Sequence, residues 1–161
     1  MTTLNKAAVP SPRAAAALLG RLLGRDVRVL PLSHTVNCTA IAAYRTQAGE
    51  LVGVLGLEDA LALITACTLA VVPPVTLRGR SPGAPLGPLL DDALREVFNV
   101  LGQLFYPLVH EAVVMAECVL PGTDARALSA LLGPPARVAR YRLAVTGGGE
   151  GVMALAVHAS P

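Results

Sequence analysis

The run 60-ALALITACTLAVVPPVTL-77 carries no charge, and any fold for this chain has to hide it. Pro73-Pro74 interrupt it after about thirteen residues, whereas a helix that crosses a bilayer needs roughly 20. The expectation is therefore a buried core helix in a cytoplasmic protein. A second apolar stretch, 14-AAAALLGRLL-23, is broken by Arg21, followed by Arg25 and Asp26, and has no A-x-A-like cleavage site. It does not read as a signal peptide.

The 161 residues suffice for one domain and are too few for two ordinary ones. Hydrophobic residues make up 53% and charged residues 15%, so a full core can form. Aromatics are only 3%, with no Trp, which makes that core one of Leu, Val and Ala. A net charge of +2 and so few aromatic rings argue against a nucleic-acid surface. Cys38, Cys67 and Cys118 are far apart, odd in number and form no CxxC, so they read as buried free thiols rather than a zinc or disulfide framework. His34, His110 and His158 show no paired spacing and read as structural or surface residues. His110-Glu111 is at most a pair at a strand start. No G-x-S-x-G or Cys–His signature is present.

Along the chain, residues 1–10 read as a tail and 11–161 as a single domain. Ser11-Pro12 open a helix that runs to about Gly24. Residues 37–45 and 51–57 read as a hairpin around the turn 46–50, and Glu58-Asp59 start the next helix, with acids at its positive end. The glycines and prolines of 78-RGRSPGAPLGP-88 mark a loop without a phosphate-cradle pattern. Its Arg78 and Arg80 read as solvated, with an acidic partner face as the alternative. A helix is expected over 89–106, a strand over 111–119, and a short helix over 123–132 with Thr123 as N-cap. That helix is stopped by Gly133-Pro134-Pro135. Two last strands, 138–146 and 152–158, flank 147-GGGEG-151, which reads as a hairpin turn rather than a ligand loop. The fold class expected is α+β: a mostly antiparallel sheet built from hairpins and packed against long helices.

The chemistry concentrates in 91-DDALREVFNVLGQLF-105. With about 100° per residue and Asp92 at 0°, Glu96 falls at about 40°, Asn99 at about 340° and Gln103 at about 20°. Leu94, Val97, Phe98, Val100, Leu101, Leu104 and Phe105 fill the opposite arc. A polar stripe alone is what any solvated helix shows. Two residues depart from that. Asn99 is a poor mid-helix residue, and Gly102 costs roughly 0.8–1 kcal/mol relative to Ala. A chain that keeps both is expected to use the carboxamide, and to use the glycine for close approach of another backbone or a partner.

The pattern Asp92-x3-Glu96-x2-Asn99, then 21 intervening residues and Pro121, resembles the signature of the CheC/CheX/FliY chemotaxis phosphatases. Asn99-Val-Leu-Gly102-Gln103 is similar to the N-x-x-G stretch of that family's site helix. Laying 14-AAAALLGRLL-23 on 96-EVFNVLGQLF-105 puts Gly20 on Gly102, with Ala14 and Ala17 where Glu96 and Asn99 stand. The resemblance accordingly implies an internal duplication with a single surviving site.

It also implies hydrolysis of the phospho-aspartate of a CheY-like receiver domain, with Glu96 docking the lysine beside the phosphoryl group. The Asn99 carboxamide would orient the attacking water. An amide can donate and accept at once, and an acyl phosphate needs positioning more than a covalent nucleophile. Asp92, Gly102, Gln103 and Pro121 would be supporting residues. The chain would need no cofactor or metal of its own, since the Mg2+ belongs to the receiver. A second expectation stays beside it: a catalytically silent module that binds a receiver, or a second copy of itself as a homodimer. A third, a flagellar switch component, would call for extra switch-binding segments.

Overall fold

The computed structural model describes residues 9–32, 35 and 37–158. Helix α1 (Pro12–Leu23) begins as the sequence suggests: Ser11 Oγ accepts from the Ala14 N–H at 3.1 Å, and Pro12 fills the first helical position. Its end is Gly24 in the left-handed region. Strand β1 (Val27–Leu30), which no sequence pattern announces, follows at once. Strands β2 (Cys38–Thr46) and β3 (Leu51–Glu58) form the expected hairpin, and α2 (Asp59–Ala70) leaves β3 directly. Helix α3 (Pro88–Leu101) is shorter than the 89–106 expected from periodicity. At Gly102 it tightens into a 3-10 turn (Gly102–Phe105), followed by the single turn α4 (Tyr106–Val109).

Strand β4 (Val113–Val119) is followed by the short helix α5 (Arg126–Ser129), a 3-10 turn, and the hairpin β5 (Arg137–Val145) and β6 (Gly149–Val157). Thr123 is not the N-cap of α5. The N-cap is Ala125, and Asp124 just before it accepts from the Arg126 N–H at 3.0 Å while pairing with the Arg126 guanidinium. Strand β6 begins at Gly149 rather than 152, so the glycine run is divided between a tight turn and the strand. Of the expected tail, residues 1–8 lie outside the described part. Pro10 is buried, and its carbonyl accepts a hydrogen bond from the Tyr141 hydroxyl.

All strand pairs are antiparallel, in the order β1-β5-β6-β3-β2-β4. Exchanging β1 with β4, β2 with β5 and β3 with β6 reproduces that order read backwards. The sheet therefore has a pseudo-two-fold axis between β3 and β6, where Leu55 faces Leu155. Helices α1 and α3 are related by the same exchange. The burial pattern agrees: Ala15, Leu19 and Leu23 are buried like Val97, Leu101 and Phe105, while Ala14, Ala17 and Arg21 are exposed like Glu96, Asn99 and Gln103.

Alternation in β2 assigns its two faces. Ala40, Ala42 and Tyr44 join the main core under α1, α2 and α3, and Ile41 and Ala43 join a second cluster with Val54, Ala154 and Ala156, covered by Leu128 and Leu132. Helix α2, uncharged after Asp59, lies on the sheet against α1 and α3, with Leu61, Ala62, Ile64, Thr65, Ala66 and Cys67 buried. No helix among the described residues is long and apolar enough to cross a membrane.

Candidate functional site

Helix α3 buries Leu90, Leu94, Val97, Phe98 and Leu101 and turns Asp92, Arg95, Glu96 and Asn99 outward. Gln103, in the 3-10 turn, is exposed on the same line. Asp92 pairs with Arg95 at 3.2 Å. The side chains of Glu96 and Asn99 have no hydrogen bond or ion pair with the described residues, so both are available to a partner. Asp91, one position before the stripe, faces the other way, with one carboxylate oxygen buried and unpartnered.

The turn that carries Asn99 is held from below. The Tyr44 hydroxyl donates to the Phe98 carbonyl at 2.6 Å, and the Gly102 N–H donates to the same oxygen. The Tyr44 ring fills the space beside Gly102, where an added Cβ would come within 2.8 Å of the ring. The close approach that Gly102 permits is thus to a side chain of this chain, not to another backbone or a partner. Phe105 tilts against Tyr44 with ring centroids 5.1 Å apart, so the end of α3 rests on two aromatic rings in a molecule that has few.

Pro121 is buried at the end of β4. It occupies the second position of a turn closed by the Thr123 N–H on the Leu120 carbonyl (3.2 Å), with Gly122 next at φ 94°. An added Cβ on Gly122 would lie 2.5 Å from Pro85. The turn that Pro121 opens therefore sets Gly122 close against Pro85 of the 78–88 loop.

That loop is built differently from the solvated segment expected. Arg80 is 8% exposed and grips Asp59 (15%) through two hydrogen bonds of 2.8 and 2.9 Å. The same carboxylate accepts from the Gly83 N–H at 2.8 Å and the Thr39 hydroxyl at 3.2 Å. The Arg80 hydrogen bonds, foremost, hold the Asp59 carboxyl below its ordinary range. Arg80 is consequently an internal clamp and cannot meet a partner; Arg78 remains exposed.

Cys67 is buried and Cys38 and Cys118 half-buried, all with free thiols. Burial pushes Cys38 and Cys118 up to about 11, so both are thiols at neutral pH. His110 caps α4 at φ 55° without an ion pair to Glu111, the His158 ring lies 3.0 Å from the Leu131 carbonyl, and His34 lies outside the described residues. Two clefts of about 230 and 630 Å3 flank Arg25, built from α1, α2 and the β5–β6 turn, and neither includes Glu96 or Asn99. The stripe stands on a convex helix face, which suits a macromolecular partner better than a small molecule.

No protein-family model matches the sequence, and no curated protein matches it. Solved structures do. A chain of the CheX–CheY–BeF3–Mg2+ complex of Borrelia burgdorferi superposes with TM-score 0.56 at 10% identity, over 96% of this chain and 100% of that one. FliY of Thermotoga maritima gives 0.52 at 14% identity, over 97% and 86%. The chain has the CheC/CheX/FliY-like fold. The FliM middle domain of Vibrio alginolyticus shares it too, with TM-score 0.55 at 10% identity, over 91% and 87%. The CheX-like fold is therefore common to proteins of different names, and α3, not the architecture, carries what is particular to a site.

Proposed function

We propose that this chain is a CheX-like phosphatase that hydrolyses the phospho-aspartate of a CheY-like receiver domain. One observation carries the reading: on the pinned last turns of α3, Glu96 and Asn99 stand exposed and without a partner among the described residues, one turn apart. Glu96 docks the receiver's lysine. Asn99 enters beside the acyl phosphate, its carbonyl accepting from the attacking water and its N–H donating to it. Water adds at phosphorus, the P–O bond to the aspartate breaks, and the carboxylate and inorganic phosphate leave. The electrostatics of the step come from the receiver's own Mg2+ and lysine, so this chain contributes orientation. The Borrelia structure, a complex of CheX with CheY, BeF3 and Mg2+, supports receiver docking by this fold.

The test is the decay of phosphorylated receivers from the same genome. Wild-type protein is expected to accelerate one of them, and Asn99→Ala to reduce that acceleration at least a hundredfold while melting like wild type. Acceleration that survives Asn99→Ala, or no acceleration by wild type, ends the catalytic assignment. A wild type that binds a receiver without speeding its decay would instead be the silent binding module.

A further inference from the structure

We infer that the receiver-docking surface extends beyond the polar pair to two apolar anchors, Leu89 and Tyr106, one at each end of the stripe. The inference rests on the receiver-binding reading above. Leu89 is 63% exposed and Tyr106 54%, large values for such side chains. With about 100° per residue in the α-helix and about 120° in the 3-10 turn, both fall within roughly 60° of Asp92, on the line of Glu96, Asn99 and Gln103. They are separated by roughly 25–30 Å along the axis. A standard interface covers about 800 Å2 per partner, a patch about 30 Å across, so the line spans one such footprint.

The duplicated helix sharpens this. Where α3 has Glu96 and Asn99, and α4 after it has Tyr106, the positions matched along α1 hold Ala14, Ala17 and Gly24, although the buried residues of the two helices correspond. The ring at 106 is thus absent from the helix that lacks the polar pair, as expected if the three serve one partner. Charge selects the occupant. A second copy docked face to face would bring Glu96, whose carboxylate has no ion pair among the described residues, towards its own equivalent, while Asp92 is already paired with Arg95. A receiver presents a lysine to the centre of the patch instead. Tyr106 supplies the kind of rigid aromatic that dominates binding energy, with Leu89 the lesser anchor.

The experiment measures binding of receivers from the same genome, loaded with beryllofluoride and Mg2+, to the full chain. Tyr106→Ala is expected to weaken binding about tenfold and Leu89→Ala about threefold to tenfold, with melting temperatures unchanged because both side chains are exposed. Val75→Ala, also exposed but off the stripe, is expected to stay within twofold. In a decay assay the two anchor variants raise KM and leave kcat, unlike Asn99→Ala. Anchor variants that bind within twofold of wild type overturn the inference, as does a wild type that binds no receiver. A wild type that shows this binding pattern but leaves every receiver's decay unchanged upholds the footprint and sinks the phosphatase reading alone.

Discussion

Tyr44 and Gly102 together decide how rigidly Asn99 is presented. The tyrosine is fully buried, its hydroxyl has the Phe98 carbonyl as its partner, and its ring takes the room that a side chain at 102 would need. Tyr44→Phe deletes a buried hydrogen bond and is expected to cost about 1–2 kcal/mol in urea unfolding. Gly102→Ala gains about 1 kcal/mol of helix propensity but overpacks the ring, which costs about 1–3 kcal/mol. The backbone at 102 is ordinary right-handed helix (φ −56°), so the space alone forbids the alanine. Net destabilisation of Gly102→Ala, with a fall in receiver-phosphate turnover, is the expected outcome; a more stable, fully active variant would show that the ring is free to move aside. That Gly102 is costly for a helix could be read directly from the chain. What it makes room for could not, because Tyr44 meets it only through the sheet.

At the scale of elements, the hairpins and helix starts were legible because each is written locally: Ser11-Pro12 before α1, Thr46–Glu50 between β2 and β3, Gly147 and Gly148 between β5 and β6. Strand β1 was not. Its four residues, with Arg28 and Val29 exposed, become a strand only by pairing with β5 at the other end of the chain. The 78–88 loop was misread for a related reason. Proline and glycine content announces irregular backbone but not the part-buried Arg80–Asp59 pair that ties it to the start of α2.

Removing Arg80 leaves Asp59 half-satisfied in a part-buried setting, and Arg80→Ala is expected to cost about 1–3 kcal/mol. The pair also carries a pH signature. The folded-state carboxyl is depressed below the ordinary 3.8, so its contribution is fully present above that value and is lost as pH falls through the depressed one. The stability gap between wild type and Asp59→Asn should therefore be constant from about pH 5 to 7 and close progressively below about pH 4. A gap that is unchanged at pH 3 would mean that the clamp contributes through shape and not through charge.

The whole molecule is two related halves around one sheet, and its asymmetry is where function is expected. The sequence echo between 14–23 and 96–105 pointed to this, and the reversible strand order establishes the symmetry that the short echo alone left open. Carried through the strand registers, the pseudo-two-fold maps Tyr44 onto Tyr141, since Ala42 faces Leu55 as Ala139 faces Leu155. The two tyrosines do different work. Tyr44 pins the last turns of α3 through Phe98, whereas the hydroxyl of Tyr141 reaches Pro10, ahead of α1. Gly20 accordingly faces the Arg25 carbonyl and Val27 where Gly102 faces a ring, and α1 stops at Gly24 where the 3-10 turn after α3 leads on to Tyr106 in α4. This decides what a graft should do. Ala14→Glu with Ala17→Asn changes two exposed positions and should leave the melting temperature within a few degrees of wild type. Placed in an Asn99→Ala background, the pair should nevertheless fail to restore receiver dephosphorylation, because α1 lacks both the pinned last turn and the aromatic at its end. Recovery to within tenfold of wild type would show that the carboxylate and carboxamide suffice wherever a helix exposes them.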